Sequence, residues 1–148
     1  MVESKPSYVI VSAVDYSEAG DLALERALEL ASEKPSAAVH VVNAMALFQG
    51  IVPDLSSGGW VYTLPSIEDA ARQLKNYVEQ KTRSFAERYQ GANRGFLENV
   101  VTHQRLQVPA EEIAQLAVDL EADLIVVGTH GRQGIARPSG YTRFDAGV

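Results

Sequence analysis

The chain alternates short, nearly unbroken apolar runs with longer segments in which apolar residues recur every three or four positions. Residues 8–14 (YVIVSAV) form the first run, a β-branched stretch of the kind buried on both faces of a parallel sheet. The runs AAVHVVNAM at 37–45, LENVVTHQ at 97–104 and ADLIVVG at 122–128 repeat that signature. Strands are predicted near 8–14, 38–44, 97–103 and 123–128. After the first, Ser17 is placed to cap a helix, Glu18 and Asp21 suit its positive first turn, and Leu24, Ala27, Leu28 and Ala31 mark one apolar face. Lys34 and Pro35 end it. The pattern SxxD at Ser66 opens a long helix carrying Ile67, Ala70, Leu74, Tyr77, Val78 and Phe85 on one side and stopping by Gly91. Pro109 at a helix start, followed by Ile113, Leu116, Ala117 and Leu120, marks a third. Gly50, Pro53, Gly58 and Gly59 read the stretch between the second strand and the second helix as a loop, expected to be the most mobile part of the chain.

The order strand, helix, strand, helix, strand, helix, strand calls for right-handed crossovers and a mostly parallel sheet with helices on both faces. The expected fold class is therefore a doubly wound α/β domain. In such sheets ligands sit beyond the carboxyl ends of the strands, where the winding reverses beside the first strand. Residues just after strands become the candidates for function.

Composition narrows the chemistry. The chain has 148 residues, enough for one domain with a real core, and its 46% hydrophobic and 22% charged residues are those of an ordinary globular protein. It has no cysteine, which removes disulfides, thiolate zinc sites and thiol nucleophiles. A net charge of -6 sets the surface against nucleic acid and anionic membranes, so neither is an expected partner. The first apolar run is too short to span a membrane and carries no cleavage pattern, and a cytoplasmic protein is expected.

Two features lie at strand exits. Asp15 directly follows the first strand and the turn GTHG, Gly128 to Gly131, follows the last. A glycine turn there can bring backbone N–H groups to a phosphate, and a carboxylate can meet a ribose hydroxyl, an adenine amino group or a metal. The same residues also fit a plain role, Asp15 starting the turn before Ser17 and Gly128 permitting a tight strand exit. His40, His103 and His130 fall on separate strands or strand exits without paired ligand spacing, so no metal site is expected, and only His130 stands beside the candidate site. Ser139, His130 and Asp145 lack a nucleophile-elbow pattern and form no expected triad.

The segments SAVDYSE at 12–18, VHVVNA at 39–44 and VPAEEIAQLAVDLEADLIVVGTHGRQG at 108–134, in that order, resemble the universal stress protein family over roughly residues 8–137. The resemblance implies an adenine-nucleotide alpha-hydrolase-like sheet with strand order 3-2-1-4. It implies a site for an adenosine nucleotide, ATP or AMP, with Mg2+ only alongside the nucleotide. The implied cofactor-binding set is Ala13, Val14, Asp15, Val41, Val127, Gly128, His130 and Gly131. In it the Val14 backbone and Asp15 lie beside the adenosine, Val41 near the adenine edge, and Gly128, His130 and Gly131 face the phosphates.

The family's nucleotide motif runs GxxG, nine residues, then Gly and Ser or Thr. Gly128 and Gly131 match its first half, but Tyr141 and Thr142 stand where the second Gly and the Ser or Thr are expected, and Gly140 comes one residue early. Beyond Arg137 the resemblance stops. The domain is therefore read as residues 1–137 with a divergent tail at 138–148, and the family's usual fifth strand is expected to be missing, which leaves an apolar edge that a second copy in a homodimer would cover. Arg132, Arg137 and Arg143 could neutralise phosphate, or belong to a solvated tail. The expected function is a stress-response nucleotide-binding module with a weakened site and no catalytic residue. The alternatives are a slow ATPase or nucleotidyl-transfer enzyme, with Asp15 carrying Mg2+ and Arg132 facing the phosphoryl charge, or a structural dimer with a vestigial site.

Overall fold

A computed structural model describes residues 5–44, 50–63, 66–106, 109–129 and 140–144. Strand β1 (Tyr8–Ala13) is followed by helix α1 (Glu18–Ser32) and strand β2 (Ala37–Ala44). Strands β3 (Gly50–Pro53) and β4 (Trp60–Thr63) form a separate antiparallel hairpin. Helix α2 (Ile67–Arg88), a 3-10 turn (Gly95–Glu98), β5 (Val100–Arg105), α3 (Pro109–Asp119), β6 (Leu124–Thr129) and β7 (Gly140–Phe144) complete the order.

The main sheet runs β5-β2-β1-β6-β7. Its first four strands are parallel, β2 and β6 flanking β1 and β5 flanking β2, which is the expected 3-2-1-4 order. The fold class is doubly wound α/β. Ile10, Val39, Val41, Leu124 and Val126 face α1 and α2 in one core with Leu24, Leu28, Leu74 and Phe96. On the other face Val11, Val42 and Ile125 meet Leu116 and Ala117 of α3. The continuous apolar runs are explained by this two-sided burial, since neither face of β1 or β2 is left to water.

Ser17 caps α1, its side chain accepting from the Gly20 amide, and Ser66 caps α2 by accepting from the Asp69 amide. Each cap satisfies an N–H that the first turn would otherwise leave without a partner.

Three expectations need correction. The sheet has a fifth strand: β7 folds back antiparallel on β6, pairing Ile125 with Phe144 and Thr129 with Gly140. The tail carries the turn formers Pro138, Ser139 and Gly140 and then the β-forming YTRF, and the free N–H and C=O row of β6 is a template for such a segment. On that side β7 takes the place of β6 as the outer strand of the sheet. The third parallel strand begins at Val100 and not at Leu97, because Gly95–Glu98 close a 3-10 turn that buries Phe96 between Phe85 and Tyr89. The supposed loop contains the β3–β4 hairpin, whose turn is tied by Asp54: its carboxylate accepts from the Ser57 and Ser56 hydroxyls and the Ser56 amide. Those hydrogen bonds, Ser57 first, hold the Asp54 carboxyl at about 2.

One contact sets how the two faces meet. The end of β6 presses on the first turn of α1 so closely that a Cβ on Gly128 would lie 2.2 Å from the Ala19 carbonyl oxygen and 2.4 Å from its carbon. A side chain there cannot be relieved by a rotamer change, since backbone atoms are in the way. Gly128→Ala is expected to cost at least about 2 kcal/mol, as overpacking against a fixed partner does, and urea denaturation should show it. An unchanged midpoint would mean that α1 moves off β6 without resistance.

Candidate functional site

The carboxyl ends of β1, β2 and β6 open into a cavity of about 240 Å³. Its wall is made by Ala13, Val14 and Asp15 from the end of β1, Val42 and Ala44 from β2, Val127 and Gly128 from β6, Gly20 from α1 and Ile113 from α3. This is the position where β1 hands the chain to α1 on one face while β6 lies beside it with α3 on the other. Such a reversal leaves a crevice that no helix fills.

Five of the eight sequence-predicted residues meet there: Ala13, Val14, Asp15, Val127 and Gly128. Val41 does not line the cavity. Its side chain is fully buried in the core beneath α1 and α2, and the alternation of the strand puts Val42 on the cavity side instead. His130 and Gly131 lie outside the described residues, as do Arg132, Arg137, Ser139 and Asp145. Arg143 lies on β7, paired with Val126.

Asp15 is exposed, and its Oδ1 accepts from the Ser17 amide at 3.1 Å and from the Ser17 hydroxyl. Ser17 thereby links the carboxylate to the helix cap. Gly20 sits close to the turn: a Cβ there would stand 2.8 Å from Asp15 Oδ1 and 3.1 Å from the Asp15 amide nitrogen, so a side chain would displace the carboxylate from its present position. The residue between, Tyr16, has φ 66, a left-handed conformation that costs a non-glycine residue about 1–2 kcal/mol. Its ring meets Tyr77 of α2 edge-on at 5.0 Å, and the Tyr77 hydroxyl donates to Asp21, which also pairs with Lys81 at 3.3 Å. Burial, and then the Asp21 hydrogen bond, hold the Tyr77 phenol protonated far above its ordinary range. The turn is thus clamped from α2.

A second support comes from behind. Asn43 is buried among apolar neighbours, donates to the Val14 carbonyl at 2.9 Å, and accepts from the Gln104 amide at 2.8 Å. The Val14 amide in turn donates to the Val42 carbonyl at 2.9 Å. The β1 exit is fixed in this way by β2 and β5. The signal for Asn43 in the sequence is a lone amide inside VHVVNA, where a buried polar group must find partners; the signals for Gly20, Val42, Ala44 and Ile113 exist only in three dimensions.

The histidines also differ from their expected isolation. His40 Nδ1 and His103 Nε2 are 2.8 Å apart, with ring centroids 5.1 Å apart and planes at 28°, so the rings meet nitrogen to nitrogen. Burial lowers His40. Burial first, then His40 and Arg105, lower His103 to about 4. This pair lies on the β2–β5 side of the sheet and does not line the cavity.

A small α/β protein with a cleft at the reversal of a 3-2-1-4 parallel sheet belongs to the doubly wound α/β class. The model of the universal stress protein family matches residues 8–139, and the chain belongs to that family. Among solved structures, universal stress protein UspA from Lactobacillus plantarum superposes with a TM-score of 0.58 at 20% identity, covering 93% of this chain and 87% of that one. A universal stress protein solved in complex with cAMP gives 0.56 at 17% identity, with 89% and 80% covered. A family member from Burkholderia pseudomallei gives 0.50 at 26% identity, with 83% and 82% covered. No curated protein sequence matches the chain. Among the described residues no helix is long and apolar enough to cross a membrane.

Two outcomes test this description. Asn43→Leu leaves the buried Val14 carbonyl without the Asn43 amide, while Gln104 Nε2 keeps the Asn43 and Arg105 carbonyls, and a loss of about 1–3 kcal/mol is expected; chemical denaturation reads it, and a loss under about 0.5 kcal/mol would show that water replaces the amide freely. For the histidine pair, an unfolded imidazole titrates near 6.5 and folded His103 at about 4. The unfolded chain therefore binds more protons in that window, so stability is full above about pH 6.5 and falls as pH drops toward 4. His103→Gln should flatten this slope in urea midpoints measured across the window. An identical slope would assign it to other groups.

Proposed function

We propose that the cleft beyond β1, β2 and β6 binds an adenosine nucleotide as a ligand in a stress response, holding it without turning it over. The observation that carries this reading is the juxtaposition at one cavity of Val14, Asp15, Val127 and Gly128. These are five-eighths of the family-implied set, together with Ala13, brought from strands more than a hundred residues apart in sequence.

The chemistry of the wall supports a base and sugar more than a triphosphate. Val42, Ile113 and Val127 offer apolar contact for a heteroaromatic ring, and Asp15 is an acceptor suited to a ribose hydroxyl. The cavity of 240 Å³ lies below the span of about 300–1,000 Å³ typical of drug-sized ligands. Among the described residues Asp15 is the one charged member of the wall, and it repels phosphate in a chain of net charge -6. Oriented N–H donors or a cation would have to come from elsewhere for a polyphosphate to be held. The family likeness and the cAMP complex of a structural relative favour a nucleotide; the single, already hydrogen-bonded carboxylate favours binding over phosphoryl transfer, in which a metal or several cations must meet the developing charge. Weak affinity for ATP, and tighter affinity for ligands with fewer phosphates, follow from this balance.

Native mass spectrometry of the purified chain and calorimetric titration with adenosine, AMP, cAMP and ATP with Mg2+ test the reading. The expected outcome is saturable binding of AMP or cAMP, weakened tenfold or more, about 1.4 kcal/mol, by Asp15→Ala, with no phosphate released from ATP. No binding of any of the four at millimolar concentration would sink it. A submicromolar ATP dissociation constant would overturn the weakened site while leaving the nucleotide reading in place.

A further inference from the structure

A second cavity of about 360 Å³ lies between α2 and β5, on the face of the sheet away from α3 and away from the cleft described above. Its volume falls within the range of about 300–1,000 Å³ in which small-molecule sites lie. The apolar part of its lining comes from Val78 of α2, Leu97 of the 3-10 turn and Val100 of β5. Val78 is fully buried and the other two are half-buried, so the groove opens on the core without being closed by it.

Three polar features gather on the α2 side. Thr82 is among the lining residues, and its hydroxyl oxygen is buried with no hydrogen-bond partner among the described residues. A helical threonine can usually bond the carbonyl one turn back, so an orphaned hydroxyl at a cavity wall is a group waiting for an acceptor or donor. Lys75 and Arg83 stand at the rim, one helical turn to either side of Glu79. That is the spacing at which opposite charges pair along a helix, but among the described residues neither cation joins an ion pair. Two cations against one carboxylate leave a single excess positive charge along a groove whose lining is part apolar and part polar, Thr102 of β5 included, in a chain that is acidic as a whole.

We infer that this groove binds a small amphipathic monoanion, an acyl chain of medium length bearing a carboxylate. The chain would cover Val78, Leu97 and Val100, and the carboxylate would accept from the Thr82 hydroxyl while facing Lys75 and Arg83. Binding there is independent of the nucleotide cleft.

Amide NMR titration of the whole chain with octanoate, octan-1-ol and octylamine tests it. Octanoate should shift residues 75–86 and 97–102 and bind at least about fivefold more tightly than the uncharged alcohol, as a charge-assisted contact provides; octylamine should leave these residues unmoved. The double variant Lys75→Glu, Arg83→Glu should weaken octanoate about tenfold or more. Thr82→Val separates a ligand contact from a structural role. Removing a buried hydroxyl that has no partner leaves the thermal midpoint equal or higher, while octanoate affinity should drop about threefold or more. The inference is overturned if the alcohol binds as well as the acid, if the shifts fall on residues 13–15 and 127–128, if octylamine competes, or if both variants bind octanoate like the parent.

Discussion

The approach of β6 to the first turn of α1 is the constraint on which the rest of the molecule depends. With Gly128 against the Ala19 carbonyl, β6 can lie beside β1 without pushing α1 off the sheet. That position closes one wall of the cleft and keeps the α1 cap at its mouth. A larger residue would have to move backbone, because there is no flexible side chain to yield. The same economy of space recurs at Gly20, where the missing Cβ makes room for the Asp15 carboxylate. Of the two, Gly128 is the stricter, because it faces backbone where Gly20 faces the end of a side chain.

Around this constraint the cleft is held by polar bonds that serve position. Ser17 ties Asp15 to the helix cap, Asn43 and Gln104 fix the Val14 carbonyl from behind, and the Tyr16–Tyr77–Asp21 chain clamps a left-handed turn from α2. The left-handed Tyr16 is a local cost met by packing on its neighbour, a pattern found where a turn must aim a residue. The apolar wall and the carboxylate are what a nucleoside would meet. The α2–β5 groove is a different kind of surface, part apolar and part polar, with two cations and a buried hydroxyl that have no partner among the described residues, and it lies on the face of the sheet away from α3.

Helices and parallel strands were legible because their burial writes itself into composition. Residues 8–14 and 122–128 are nearly all apolar because both faces of β1 and β6 are covered, and Ser17 and Ser66 announce the caps they form. The hairpin Gly50–Thr63 was not legible, since glycine and proline outweigh the short β-forming stretches beside them. Nor was β7. Its pairing depends on an open edge at β6 that exists only after the parallel sheet has formed. In the site, Asp15 and Gly128 could be named because each directly follows a strand. Val41 was misplaced by one position, which on a strand means the opposite face.

The sequence by itself determined the class of fold, the strand order through its family resemblance, the absence of thiol chemistry and the strand exits at which a ligand could be met. These follow from periodicity, composition and local turn chemistry, which neighbouring residues encode together. Tertiary structure alone decided which side chains share a wall. Ile113 and Asp15 share one cleft, His40 meets His103, and Thr82 and Leu97 line one groove, and no local pattern records these pairs. They arise because a crossover fold places distant strands about 4.8 Å apart, and the energy of a contact depends on that distance and not on separation along the chain.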